Sequence, residues 1–290
     1  MTTARPAVLR RARNNLDLPR WFAASAMTAR ADRRYFDSVR TFCMFVGYPR
    51  SGHSLVGSLI DAHPDAVVAH ELDVLRLVQA GFRRSQVLSL IVRNAQRYGG
   101  RREHVYNYTV PGQWQGRFRR LEVIGDKKGG RSTRRLAESP ALLGRLQRAV
   151  GVPVRFVHVQ RHPLDNIATM FLRRPDLSPA PDPEAALSAT VDTYTLLCDT
   201  VARVKSTVGA DSMLDLRSED LLACPAGELT RLVGFLGLDA PGDYLEACAG
   251  ILYAAPNRTR DRAPWTPALR ARVAALTGRF DFLGAYSADS

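Results

Sequence analysis

The most constraining feature of this chain is a short turn between an apolar run and an amphipathic run. Residues 41–46 are strongly apolar, residues 47–54 read GYPRSGHS, and an amphipathic pattern follows. This order predicts a strand, a tight turn and a helix. Such a turn directs successive backbone N–H groups and the positive end of a helix dipole at one point, which suits a phosphate or sulfate group. A turn with a purely structural role is the alternative.

Five consecutive residues of this turn are the candidate anion ligands. They are Arg50, Ser51, Gly52, His53 and Ser54, which offer one full charge, hydroxyl groups and a series of backbone N–H groups. The turn is not a Walker loop, because the pattern Gly-x-x-x-x-Gly-Lys-Ser/Thr is absent.

Length and composition predict one domain preceded by a basic arm. With 290 residues, of which 46% are hydrophobic, the chain can bury a substantial core. We expect an arm or helix at residues 1–40, which are rich in arginine, and a single domain at residues 41–290. A solvated basic helix that packs Trp21 on the domain is favoured over a nucleic-acid-binding tail.

Several classes of protein are excluded by what the sequence lacks. No window has the length and apolar content of a membrane-spanning helix, and the N-terminus lacks the apolar block of a secretory signal, so we expect the cytoplasm. The cysteines are scattered, which argues against a zinc site and against a disulfide framework. We expect all of them to pack in the core: Cys43, Cys198, Cys224 and Cys248.

The net charge of +13 predicts a protein that attracts anions. Charge alone does not choose among a nucleotide, a nucleic acid, an acidic lipid and an anionic acceptor. Of the 41 basic residues, only Lys127, Lys128 and Lys205 are lysines. The adjacent pair indicates a need for compact ammonium groups, with chance as the alternative.

Apolar runs and helical patterns alternate along the chain. Strands are predicted at residues 42–46, 121–125, 154–159 and 213–216. Helices are predicted near residues 52–62, 72–80, 85–98, 139–150, 164–173, 184–207, 225–236, 243–252 and 267–277. This alternation predicts an α/β fold, with a parallel β-sheet flanked by helices on both faces. Ligands of such sheets bind where strands end and helices begin.

A second motif follows the strand predicted at residues 154–159. Residues 161–169 read RHPLDNIAT, and Thr169 shares a face with Arg161 if helical geometry begins at once. The two motifs resemble those of sulfotransferases that use 3′-phosphoadenosine-5′-phosphosulfate (PAPS). The resemblance implies a P-loop-like sulfotransferase fold in which the first turn binds the 5′-phosphosulfate end. It also implies that Arg161 and Thr169 bind the 3′-phosphate.

The residues after the first turn resemble one branch of this family. Residues 59–65 read LIDAHPD, and Ala69, His70 and Glu71 follow. The pattern is similar to the branch with protein-tyrosine sulfotransferases and related bacterial enzymes, in which a Leu-Asp-Ala-His-Pro stretch leads to a catalytic glutamate. The resemblance implies that Glu71 removes the acceptor proton, with its pKa raised near a desolvated pocket. His70 is the alternative base. The alternative without a catalytic role is that Glu71 is a helix N-terminal residue.

The lysine pair follows another predicted strand. Residues 123–130 read VIGDKKGG and resemble the family's strand that ends in a lysine directed at the sulfuryl group. The resemblance implies that Lys127 neutralises charge on the bridging oxygen as the nucleotide departs, with Lys128 as the alternative. A solvent-facing lysine in a glycine-rich turn is the competing interpretation.

Two further positions are compared with the family pattern. Family members often close over the nucleotide with a late basic segment before a tryptophan, and Arg258 and Arg260 precede Trp265 here. The resemblance makes both arginines candidates for the 3′-phosphate, against a solvated basic run. His53 stands where many relatives have threonine, so contact between its side chain and the 5′-phosphate is in question.

The sequence therefore predicts a sulfotransferase that moves a sulfuryl group from PAPS to a hydroxyl group. No carboxylate or Cys/His cluster has the spacing of metal ligands, so no metal is expected. A nucleotide kinase is one alternative, but it needs a Walker lysine and a magnesium-binding partner. A non-catalytic module that binds nucleic acid is the other, and the dispersed positive charge argues against a nucleic-acid partner. We expect the acceptor hydroxyl to belong to a small molecule, a carbohydrate or a lipid; the identity of the acceptor and the oligomeric state stay open.

Overall fold

Five parallel strands form the centre of the molecule. A computed structural model describes residues 7–98, 108–173 and 182–286, with side chains described from residue 17 onward. The strands are β1 (Thr41–Gly47), β2 (Ala66–Ala69), β3 (Val123–Asp126), β4 (Val154–Gln160) and β5 (Met213–Arg217). Their order in the sheet is β2-β3-β1-β4-β5, and every pairing is parallel. The prediction of a parallel α/β sheet is confirmed. The short strand β2 was not predicted, because its apolar run is only four residues long.

Helices connect the strands. They are α1 (Ala7–Phe36), α2 (His53–Asp61), α3 (Val74–Gln79), α4 (Arg84–Tyr98), α5 (Gly129–Glu138), α6 (Leu142–Val150), α7 (Pro163–Leu172), α8 (Pro183–Val208), α9 (Ser218–Ala223), α10 (Pro225–Phe235), α11 (Gly242–Ala249) and α12 (Pro267–Arg279). The interpretation of residues 129–130 as a glycine-rich turn is wrong, since α5 begins there. Both glycines are needed for packing: a Cβ on Gly130 would lie 2.7 Å from the Pro49 side chain.

Both faces of the sheet are covered, and β1 contributes to each. Every residue of β1 is buried. Because side chains alternate along a strand, Phe42 and Met44 enter one apolar cluster while Cys43 and Phe45 enter another. The first cluster includes residues of α3, α4 and α6, and the second includes residues of α2, α10 and α11. The predicted covering of both faces is therefore confirmed.

The arginine-rich N-terminal segment forms α1, which packs along α4. The rings of Phe22 and Phe82 meet edge to face with centroids 5.1 Å apart. Gln86 donates a side-chain hydrogen bond to the Phe22 carbonyl at 3.0 Å, and Trp21 packs on the core. The expected packing of Trp21 is thus confirmed. The division into an arm at residues 1–40 and one domain at 41–290 stays a prediction.

Three of the cysteines are buried, and Cys224 is exposed, so the expectation of core packing is wrong for Cys224. Cys224 immediately precedes the proline at which α10 begins, and this helix start lies at the surface. Across the described ranges, no helix combines the length and apolar character that crossing a membrane requires.

Candidate active site

All but two of the predicted site residues line one cavity of about 770 Å³. They are Arg50, Ser51, Gly52, His53, Ser54, His70, Glu71, Lys127, Arg161 and Thr169. Each follows the carboxyl end of a parallel strand, the edge at which ligands of such sheets bind.

The turn between β1 and α2 presents backbone N–H groups to this cavity. Arg50 and Gly52 adopt left-handed backbone conformations, with φ of 70° and 107°. Gly52 is the N-cap of α2 and makes no side-chain capping bond, so the first N–H groups of the helix are available to an anion. The turn is held by its neighbours: Asn166 donates to the Pro49 carbonyl at 2.9 Å, and Ser218 donates to the Ser51 carbonyl at 2.9 Å.

The side chains of Ser51 and His53 are turned into the protein. The Ser51 hydroxyl donates to the Tyr48 carbonyl at 3.1 Å. His53 Nε2 donates to the Val46 carbonyl at 3.2 Å, and its ring lies so close to Gly129 that a Cβ there would be 2.3 Å away. Burial, reinforced by the nearby His158, lowers the pKa of His53 to about 3 and keeps the ring neutral. The imidazole therefore supports the turn from within the protein.

Sheet register brings the lysine pair beside Glu71. Asp126, the last residue of β3, lies opposite Ala69, the last residue of β2. The following residues of the two parallel strands continue side by side, so the lysines emerge next to Glu71. Lys127 Nζ donates to Ser54 Oγ at 2.6 Å and lies 3.5 Å from Glu71 Oε1, whereas Lys128 Nζ lies 3.1 Å from Glu71 Oε2.

Lys127 is 3% exposed, so it is not the solvent-facing lysine of the competing interpretation. Its stem crosses α2 at Gly57, where a Cβ would lie 2.9 Å from Lys127 Cβ. Burial lowers the pKa of Lys127, and the charge of Glu71 opposes that shift. The ammonium group is thus fixed between the turn and the carboxylate.

The pKa of Glu71 departs from expectation. Burial alone raises it, but the charges of Lys128 and Lys127 lower it by more, and the pKa lies at about 2. The expected rise is therefore wrong for this structure, because desolvation is outweighed by two ammonium groups. Glu71 also has a left-handed backbone, with φ of 59°, and α3 begins only at Val74. The alternative that Glu71 is a helix N-terminal residue is wrong.

His70 lies in the same cavity beside Glu71. Its backbone N–H donates to Asn94 Oδ1 at 2.6 Å, and its ring centroid lies 5.6 Å from that of Tyr98 at the end of α4. Both candidate bases thus border the same space.

Arg161 and Thr169 meet as their spacing predicts. Arg161 Nη1 donates to Thr169 Oγ1 at 3.0 Å, and Nη2 donates to the carbonyl of Asn257 and to Thr259 Oγ1. Burial lowers the pKa of Arg161, but a guanidinium stays charged. These residues form a second cationic subsite, built by the β4–α7 turn and closed by the C-terminal loop.

The structure does not bring Arg258 and Arg260 into the cavity. Arg258 is exposed, and Arg260 pairs with Asp165 at 2.7 Å. Asp165 also accepts the backbone N–H of Thr259 at 2.7 Å. Arg260 therefore ties the C-terminal loop to α7, where the carboxylate of Asp165 neutralises its charge, and this pairing disfavours a direct contact between Arg260 and an anion.

A buried polar network below the turn was missed by the sequence analysis. His158 on β4 donates a hydrogen bond from Nδ1 to Asp215 at 2.7 Å. Its Nε2 accepts a hydrogen bond from the Tyr48 hydroxyl at 3.0 Å. Burial raises the pKa of Asp215, but the bonds from His158 and Lys205 lower it by more, to about 2. The alternation of His158 with apolar residues on a central strand was the one signal available.

Cavity residues outside the motifs were also missed. They are Arg131, Arg173, Ser218, Glu219, Leu222 and Tyr253, with others of the same loops. Ser218 follows β5 directly, so its place at a strand end was a usable signal. Tyr253 comes from a loop without a recognisable pattern. Within the residues that the structure covers, no group of His, Cys, Asp or Glu side chains is arranged to hold a metal ion.

Comparison with solved structures identifies proteins of the same fold. The sulfotransferase STF9 from Mycobacterium avium is 12% identical with a TM-score of 0.53, covering 89% of this chain and 81% of that one. The sulfotransferase STF1 from Mycobacterium tuberculosis is 11% identical with a TM-score of 0.52, covering 87% and 81%. A sulfotransferase domain from the curacin biosynthetic pathway is 14% identical with a TM-score of 0.50, covering 83% and 98%. These similarities confirm the predicted P-loop-like sulfotransferase fold.

Comparison of sequences gives the family. No curated protein sequence matches this chain. The model of the sulfotransferase family matches residues 43–242, a span that runs from β1 to the start of α11 and includes both motifs predicted to bind anions, Glu71 and the lysine pair. Because that match covers more than half of the 290 residues, this protein belongs to the sulfotransferase family.

Proposed function

We propose that this sulfotransferase uses PAPS as its donor and transfers the sulfuryl group to a hydroxyl group of its acceptor. The observation that carries the proposal is the meeting of two cationic subsites, a buried lysine and a carboxylate in one cavity. An anion with charge at both ends fits the two subsites, and the lysine and the carboxylate lie beside the first.

The charge of the cavity supports an anionic donor. Six basic side chains line it against two carboxylates, those of Glu71 and Glu219. The basic residues are Arg50, Lys127, Lys128, Arg131, Arg161 and Arg173. Such an excess attracts a nucleotide that carries a phosphate at one end and a phosphosulfate at the other.

In this proposal the donor is held at three places. The N-terminus of α2, with Arg50 and Ser54, binds the 5′-phosphosulfate. Arg161 and Thr169 bind the 3′-phosphate through charge-assisted hydrogen bonds. The apolar side chains of Leu55 and Leu222, which line the cavity, offer a wall for the adenine.

The proposed chemistry is an in-line displacement at sulfur. Glu71 accepts the proton of the acceptor hydroxyl while the acceptor oxygen forms its bond to sulfur. The bond between sulfur and the bridging phosphate oxygen breaks, and its electron pair stays on that oxygen. Lys127 stabilises the charge that develops there, while Ser54 and Glu71 keep its ammonium group oriented.

The low pKa of Glu71 is compatible with a role as base. Lys128 and Lys127 lower it, and both lysines border the proposed site of the phosphosulfate. An anion bound there opposes the field of the two ammonium groups, so we expect the pKa of Glu71 to rise when the donor binds. The carboxylate would then become a stronger base in the complex that reacts.

The test is the variant Glu71→Gln, assayed with radiolabelled PAPS and a cell extract as the source of acceptor. We expect turnover to fall on the order of a hundredfold, because general base catalysis is lost. Affinity for 3′-phosphoadenosine-5′-phosphate (PAP), measured by calorimetry, should change by less than about twofold, since this product lacks the sulfuryl group beside Glu71.

Glu246→Gln, at an exposed position on α11, is the matched control and should leave both quantities unchanged. Full turnover in Glu71→Gln would move the base to His70. Failure of PAP to bind or to stabilise the wild-type protein would overturn the choice of donor.

A further inference from the structure

The segment that carries Glu71 adopts a backbone conformation that its residues do not favour. Glu71 and Asp73 have φ of 59° and 68°, and both are non-glycine residues in the left-handed region. Such a conformation persists only where the surrounding structure holds it, and it is typical of functional sites.

The carboxylate of Asp126 holds this segment on both sides of Asp73. Its Oδ1 accepts the N–H of Leu72 at 3.1 Å, and its Oδ2 accepts the N–H of Val74 at 2.9 Å. Leu72 directly follows Glu71 in the chain. Both oxygens of one side chain are therefore used to fix the backbone next to the carboxylate that borders the cavity.

Two other contacts complete the support. Arg135 of α5 binds both oxygens of Asp73, each at 2.7 Å, and Asn94 of α4 accepts the N–H of His70 at 2.6 Å. Of the three supporting residues, Asp126, Arg135 and Asn94, Asp126 is completely buried, and it directly precedes Lys127 in the chain. One short stretch of chain thus fixes the backbone of the Glu71 segment and supplies the cations that bind its side chain.

A carboxylate at this position is costly to bury. Burial raises the pKa of Asp126 to about 6, in spite of the hydrogen bonds from Val74 and Leu72 that favour ionisation. An asparagine of the same shape has only one acceptor oxygen, so it leaves one of the two N–H groups without a partner. Only the carboxylate satisfies both.

We propose that Asp126 is a positioning residue for sulfuryl transfer, which acts by holding Glu71 at the acceptor side of the cavity. This inference rests on the proposed role of Glu71 as base. Asp126 itself touches neither donor nor acceptor in this proposal, because its side chain is fully buried and does not line the cavity.

The test begins with Asp126→Asn. Since a misplacement of about 1 Å can cost on the order of a hundredfold in rate, we expect kcat to fall between tenfold and a hundredfold. Affinity for PAP should stay within about twofold of wild type, because the donor subsites are built by other elements. Hydrogen exchange of the amides in residues 71–74 should become faster by about tenfold or more.

A double variant distinguishes positioning from a general structural effect. If Asp126 acts through Glu71, adding Asp126→Asn to Glu71→Gln should cause no further loss of kcat beyond about twofold. If the losses of kcat in the two single variants multiply in the double variant, the proposal is wrong. If Glu71→Gln alone leaves turnover intact, the proposed base is wrong, and a loss in Asp126→Asn would then show that Asp126 does not act through it.

Asp61→Asn is the matched control. Asp61 is also a buried carboxylate that accepts two backbone N–H groups, those of Val68 and Gly116, at 2.8 and 3.0 Å. It should lower thermal stability without changing kcat or exchange in residues 71–74, and an equal loss of kcat would contradict the inference. Should Asp126→Asn fail to fold, exchange in the wild-type protein decides: the amides of Leu72 and Val74 must be protected like those of β3.

Discussion

The turn at residues 47–54 and the segment at residues 70–73 border the same cavity but are built differently. The turn presents its own backbone N–H groups and the start of the following helix to the cavity. The segment holds Glu71 with side chains from β3, α4 and α5, which lie far away in the sequence. A turn that presents N–H groups can be formed by contiguous residues. The position of a single carboxylate depends on tertiary contacts with residues that are distant in the sequence.

The two regions also differ in which residues adopt left-handed backbone conformations. Of the three left-handed residues in the turn, two are glycines, Gly47 and Gly52, and one is Arg50. In the segment, both left-handed residues, Glu71 and Asp73, carry side chains. The segment therefore depends more on its supports. Lys127 joins the two regions, because it donates to Ser54 of the turn and pairs with Glu71 of the segment.

Substitution of this joining residue should have the largest effect. We expect Lys127→Met to lower kcat by about a thousandfold, because it removes the charge proposed to stabilise the departing oxygen while it keeps the aliphatic stem beside Gly57. Single-turnover transfer from radiolabelled PAPS measures the change. Arg134→Gln, on the exposed face of α5, is the control and should leave the rate unchanged. A loss below tenfold would assign the stabilising charge to Lys128.

Substitution of Arg161 tests whether donor affinity can be lowered without a loss of kcat. We expect Arg161→Ala to weaken PAP binding by about fiftyfold, since charge-assisted hydrogen bonds are lost, with little change in kcat at saturating donor. Arg258→Ala is matched in chemistry and should change affinity by less than about twofold, because Arg258 is exposed and lies outside the cavity. Calorimetry with PAP gives both values, and equal losses in the two variants would contradict the assignment of the 3′-phosphate subsite.

The contrast explains how much the sequence reveals. The turn and the Arg161–Thr169 pair were predicted because each lies in one contiguous motif after an apolar strand. The pKa of Glu71 was predicted in the wrong direction, because the two lysines that lower it come from another strand and only sheet register brings them near. Proximity across strands is not visible in a single sequence.

The fold shows the same limit. The long apolar strands were predicted, but β2 was missed because four residues carry too little periodicity. The helix α5 was not predicted, and a glycine-rich turn was the competing interpretation of its start, since Gly129 and Gly130 favour turns when read locally. Their small size is required by His53 and Pro49, and those neighbours are brought there by tertiary packing.

The smallest expected effect is a change of about tenfold in turnover at a given acidic pH, caused by a shift in the pKa of Glu71. Lys128 is the strongest of the influences that lower the pKa of Glu71, and burial opposes it. Lys128→Gln removes that charge, so the pKa should rise by about one unit. A base works only when ionised, and turnover is lost as pH falls through its pKa. The acidic limb of kcat at saturating PAPS should therefore move to higher pH, while PAP affinity changes far less than in Arg161→Ala. An acidic limb that stays in place would mean that the group titrating there is not Glu71.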